Sequence, residues 1–108
     1  MQVKKVNDGQ YVDYELDGTR IFFGDDELMI NCKKYQGDEE RTIDIVKTRR
    51  NTLAVGADSG FMYVAQVVIP AKEYEYSESK KEGSDETEMT RTAKDLNMDD
   101  VVLKLYAI

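Results

Sequence analysis

Phe61-Met62-Tyr63-Val64-Ala65-Gln66-Val67-Val68-Ile69-Pro70 is the stretch whose reading decides the fold. This dense apolar run reads as a strand. Both of its faces are largely apolar, which predicts a central strand covered on both sides. Pro70 has no N–H to donate, so regular pairing has to stop or bulge there.

Beyond Pro70 the texture changes. Glu73-Tyr74-Glu75-Tyr76 alternates, placing both tyrosines on one face of an extended segment. From Ser77 to Asn97 only Met89, Ala93 and Leu96 are apolar. Their i, i+4, i+7 spacing predicts a short helix near 86–96. The rest, including Lys80-Lys81-Glu82-Gly83-Ser84-Asp85-Glu86, cannot bury enough apolar surface to offset its ordering entropy. A long, flexible polar loop over about 77–97 is therefore expected. The chain returns to a strand in Val101-Val102-Leu103-Lys104-Leu105-Tyr106-Ala107-Ile108.

Upstream, Asp17-Gly18 lies between alternating segments and signals a two-residue hairpin turn. With those two residues at its centre, Leu16 faces Thr19, Tyr14 faces Ile21 and Val12 faces Phe23. Glu15 then faces Arg20 across the strands. Tyr14 is expected on the buried face and Tyr11 on the mixed one. Gly24-Asp25-Asp26 makes the next turn, Leu28–Tyr35 the next strand, and Gln36-Gly37-Asp38 breaks it. Thr42–Thr48 reads as a strand on its β-branched content. A helix over 42–50 competes, because Ile43, Val46 and Arg50 also lie near one helix face. Leu53-Ala54-Val55 follows, and Ala57-Asp58-Ser59-Gly60 turns into Phe61. Six to eight closely spaced strands predict a single all-β domain, an antiparallel β-sandwich or small barrel.

The 108 residues are enough for one core without staples. A 34% charged and 41% hydrophobic composition is that of a soluble globular chain, expected in the cytoplasm or in a particle assembled there. No run approaches a membrane span, and the first residues lack the apolar core of a secretory signal. The net charge of −7 lowers the expectation of general phosphate-backbone binding.

The chain has no histidine and one cysteine. That removes the commonest general base, the usual activator of a Ser or Cys nucleophile, and Cys/His zinc sites. Cys32 continues the Leu28/Ile30 face and reads as a small buried hydrophobe rather than a reactive thiol. The acidic clusters at Asp25-Asp26-Glu27, Asp38-Glu39-Glu40, Asp85–Glu88 and Asp99-Asp100 lack cation-loop spacing and read as solvated turns. No phosphate-binding glycine loop is present. No cofactor, metal or catalytic residue is expected.

The expectation is a non-enzymatic interaction or assembly module whose polar loop orders on a protein partner or a neighbouring subunit. Small subunits of phage-type particles offer the architectural comparison. Tyr74 and Tyr76 are the leading contact residues, with Met89 and Arg91 beside them, since tyrosine offers large, stiff contact area with a polar tip. The competing reading has the two tyrosines extend the core. A second class is a nucleic-acid-binding domain using Lys33, Lys34, Lys47, Arg49 and Arg50, or an acidic inhibitor of a nucleic-acid enzyme. An unrecognised enzyme comes third.

Overall fold

The computed structural model describes residues 1–56, 62–80, 83 and 87–108. The expected turn at Ala57–Gly60, Phe61, and residues 81, 82 and 84–86 of the polar excursion lie outside them. In chain order the strands are β1 (Gln2–Lys5), β2 (Tyr14–Asp17), β3 (Arg20–Phe23), β4 (Leu28–Asn31), β5 (Arg41–Lys47) and β6 (Leu53–Val55), then β7 (Met62–Ile69), β8 (Tyr74–Lys80), β9 (Thr87–Ala93) and β10 (Val102–Leu105). One helical turn, α1 (Cys32–Tyr35), and a 3₁₀ turn at Met98–Asp100 complete the described elements. The chain is mostly β, as expected, but with ten described strands in three sheets, none closed into a barrel.

The apolar run forms β7, the middle strand of a five-stranded sheet ordered β1-β10-β7-β5-β6. This sheet is mixed rather than purely antiparallel, because β1 pairs parallel to β10 through Gln2↔Val102 to Lys5↔Leu105. Over 42–47 the segment is strand, not helix: Ile43 and Ile45 point into the core, while Asp44 lies on the other face. Covering of β7 on both sides is only half met. Ala65, Val67 and Ile69 are buried in the core. Across the sheet, Gln66 donates to Asp44 Oδ1 at 2.8 Å and accepts from the Tyr106 hydroxyl at 2.7 Å, and Tyr63 is exposed. A bulge at Val64, where Ile45 pairs with Ala65 but Val46 with Tyr63, buries Val64 and Ala65 in succession.

The second sheet is the meander β2-β3-β4. Its turn lies one residue later than expected, at Gly18-Thr19, so Leu16 pairs with Ile21, Tyr14 with Phe23 and Asp17 with Arg20. Only Gly18 of the two turn residues has positive φ (+61°), the pattern of a type II′ turn with glycine at its first position. An Asp-Gly turn of the mirror type would have required Asp17 to share that conformation. A shift of one residue at each strand preserves the faces, so Ile21, Phe23 and Ile30 still reach the core, joined by Cys32. The two sheets thus share one core, to which the last strand adds Leu103 and Leu105 and the residue before it, Val101. Tyr14 and Leu16 do not share in it, because β2 is an edge strand and both are about 40% exposed. Tyr11 instead packs partly buried against the core.

Leu28–Tyr35 is not one strand. The Asn31 side chain accepts from the Lys33 amide and turns residues 32–35 into α1. Likewise the expected polar loop with its helix near 86–96 is corrected: residues 74–80 and 87–93 form an antiparallel ladder from Tyr74↔Ala93 to Lys80↔Thr87. The molecule measures 64 × 24 × 21 Å, with a radius of gyration of 18.6 Å. A compact chain of about this length has roughly 13 Å. The β8–β9 hairpin is an arm.

Phe23→Ala should cost about 3–5 kcal/mol. Tyr14→Ala should stay within about 1 kcal/mol and Tyr11→Ala should exceed it, reversing the order the sequence suggests; urea midpoints at equal m-values check this. Gly9→Ala should also destabilise, by about 1–3 kcal/mol. Its φ is +145°, and an added Cβ would meet Ala107 Cβ at 2.7 Å. Gly37→Ala, with nothing within 4 Å of the new methyl, is the neutral control.

Candidate functional site

The arm begins where the central strand must stop. The last rungs of β7 pair Ile69 with Arg41 and Val68 with Val102, and Pro70 follows. The departing chain is tied down at once. Lys72 N–H donates to Gly37 O at 2.8 Å, and Gln36 Nε2 donates to Pro70 O at 3.2 Å. The returning chain closes the base through Lys94 N–H to Glu73 O at 2.8 Å. The Tyr74 hydroxyl then donates to Asp38 Oδ1 on the turn before β5. That carboxylate raises the Tyr74 pKa above the ordinary phenol value, chiefly through the hydrogen bond.

Register sorts the arm into two faces. Tyr74, Tyr76 and Glu78 on β8 share one with Met89, Arg91 and Ala93 on β9. Glu75, Ser77, Glu88, Thr90 and Thr92 take the other, where the Ser77 and Thr90 hydroxyls lie 2.7 Å apart. All four contact candidates read from the sequence, Tyr74, Tyr76, Met89 and Arg91, therefore fall on a single face. Arg91 sits directly opposite Tyr76, and its guanidinium carbon lies 4.2 Å from the Tyr74 ring centroid. Tyr76 is 64% exposed and Met89 60%. The competing reading, that both tyrosines extend the core, fails for Tyr76, while Tyr74 is half-buried at the arm's base.

The candidate basic patch does not assemble as one surface. Lys47 and Arg49 line a cleft of about 520 Å³ with Gln10, Thr48, Asn51 and Ile108. Arg50 is exposed in the adjoining turn and does not line it. Lys33 and Lys34 stand exposed on α1 beside the other sheet, because β4 pairs with β3 and not with β5. Cys32 is buried, and burial pushes its thiol pKa up to about 11, so it is protonated and unreactive near neutrality. Among the described residues no group of three or more Cys, Asp or Glu is placed to hold a metal ion. No described helix is long and apolar enough to cross a membrane.

Sequence reasoning missed the hollow on the outer face of the meander. Glu15, Leu16, Asp17, Phe22 and Asp26 line a shallow concavity of about 430 Å³. Glu15 and Phe22 are cross-strand partners in it, and Met29, the next residue of that row and 45% exposed, lies outside its lining. The register shows that Glu15, Asp17 and Phe22 share the outer face, while Leu16, opposite core-facing Ile21, borders the hollow from the other side of the edge strand. No protein-family model matches the chain, and no curated protein or solved structure gives a significant match.

Asp38→Asn should lower the Tyr74 pKa toward about 10, the ordinary value. The neutral amide no longer repels the phenolate, and Arg91 still favours it. Since the raised pKa favours the neutral phenol in the folded chain, the latch holds below pH ~10 and is released as pH rises through the raised value. Tyrosine ring ¹³C shifts followed against pH in both proteins check this; an unchanged Tyr74 titration would show that the bond does not persist in solution.

Proposed function

We propose that this chain is a non-enzymatic interaction or assembly module that makes its contacts through the β8–β9 arm. The core behind it reads as an open two-layer β fold of the sandwich kind, whose role is to hold the arm's base. One observation carries the proposal: two seven-residue strands leave the core and present Tyr76 and Met89 largely exposed on the same face as Arg91. Tyr, Met and Arg are the residue types enriched at protein interfaces, where a stiff ring or thioether fills a pocket and the guanidinium fixes orientation. A lone two-stranded hairpin is marginal in water, so covering one face would also stabilise the arm itself. The partner in this reading is a protein, met in the cytoplasm or in a particle assembled there.

A second reading, nucleic-acid binding, draws on the Lys47/Arg49 cleft. It would give single-stranded DNA affinity that falls steeply with salt. Two cations in a chain of net charge −7 support it less well than the arm supports a protein contact.

A photo-reactive phenylalanine analogue at position 76 should crosslink one recurrent protein in cells, whereas the same group at position 77, on the opposite face, should not. Equal or absent crosslinking at the two positions would remove the arm's face from the function. Replacing residues 76–91 with Asn-Gly joins the register partners Glu75 and Thr92 by a tight turn. The core should remain folded in that variant, with its thermal midpoint lowered by no more than a few degrees, while the crosslinked partner no longer co-purifies.

A further inference from the structure

We propose that the partner is a second copy of this chain: the arm of one copy docks its Tyr76–Met89–Arg91 face into the acidic hollow on the outer face of the next copy's β2–β3–β4 meander. This inference rests on the arm being the contact element and goes beyond it by naming the acceptor.

Charge and polarity select the acceptor. The arm's contact face brings Tyr76, Met89, a guanidinium that makes no ion pair with a described carboxylate, and the Glu78 carboxylate opposite Met89. It therefore fits a surface that offers apolar area, carboxylates for Arg91 and a cation for Glu78. The meander's hollow has that chemistry: Phe22 lies among Glu15, Asp17 and Asp26, and Leu16, at the edge of β2 on its core-side face, borders it. Leu16 is 41% exposed. Arg20 lies on the same face of the sheet but is not in ion-pair contact with the hollow's carboxylates, although it is the register partner of Asp17. A carboxylate can take two parallel N–H bonds from an arginine, which would fix the arm's angle.

Three of the other hollows fit less well. Gly37, Asp38, Glu39, Glu40 and Arg41 line one that is acidic without apolar side chains. The cleft bearing Lys47 and Arg49 has the same sign as Arg91. The hollow under the arm is walled by the arm's own connectors. Donor and acceptor are different surfaces, so the contact is heterologous, and successive copies close a ring or extend a filament.

Sedimentation velocity on the full chain tests this. The wild-type protein should assemble beyond the monomer as its concentration rises. Arg91→Glu damages the donor alone, and Asp17→Arg with Asp26→Arg damages the acceptor alone. Each exposed-surface variant should keep the wild-type circular dichroism and sediment as a monomer, its self-association weakened about tenfold or more. Mixed together, the two variants retain one intact donor and one intact acceptor, so they should form a one-to-one dimer and stop there. A wild-type chain that stays monomeric to millimolar concentration overturns self-docking. So does wild-type assembly that either variant leaves intact, or variants that fail to complement. If position 76 then crosslinks a different protein, the arm reading survives and only the acceptor is wrong. If it crosslinks nothing, both fall.

Discussion

Pro70 is the constraint on which the rest of the molecule depends. β7 is the central strand of the main sheet and supplies Ala65, Val67 and Ile69 to the core. A strand in that position is paired on both edges, so a residue with no N–H cannot continue it. The chain has to leave the sheet while its neighbours remain. Gly37 and Gln36 receive it with backbone and side-chain bonds, and Asp38 accepts from Tyr74 one turn later. The departing segment cannot join the core, because its residues are mostly Glu, Ser, Thr and Lys with few apolar side chains. It satisfies its backbone by pairing with itself. The chain then re-enters as β10 on the other edge of β7.

Much of the core was legible, because burial follows period and period survives small errors. The register at Gly18 differs from the simplest reading of Asp-Gly by one residue in each strand, and the faces are unchanged because the side-chain period is two. Exposure of Tyr14 was not legible. It shares a face with Phe23, but its strand lies at the edge, and edge position is set by which strand pairs with which. The same holds for β1, whose partner Val102 is a hundred residues away in sequence.

The arm escapes a sequence reading for a specific reason. Met89, Ala93 and Leu96 match a helical spacing, and that thin stripe outweighs a period-two signal of threonines at 90 and 92 facing away from Met89 and Arg91. A two-stranded ladder needs no buried face to form its hydrogen bonds, so apolar periodicity is a poor guide to it. The four contact residues nonetheless fall together, because Tyr74/Tyr76 and Met89/Arg91 are each spaced by two. The basic patch does not come together, because Lys33 and Lys34 belong to a helical turn capped by Asn31 and not to a strand beside β5.

The central claim is that the chain beyond Pro70 is a preformed two-faced hairpin. Interproton contacts in the isolated protein test it most directly. The account predicts cross-strand backbone contacts between β8 and β9 in the register that sets Ser77 opposite Thr90, with the amides inside the ladder exchanging more slowly than those of exposed turns. Random-coil shifts, unprotected amides and sequential contacts alone over 75–80 and 87–92 would contradict it, because Tyr76, Met89 and Arg91 would then share no face to present.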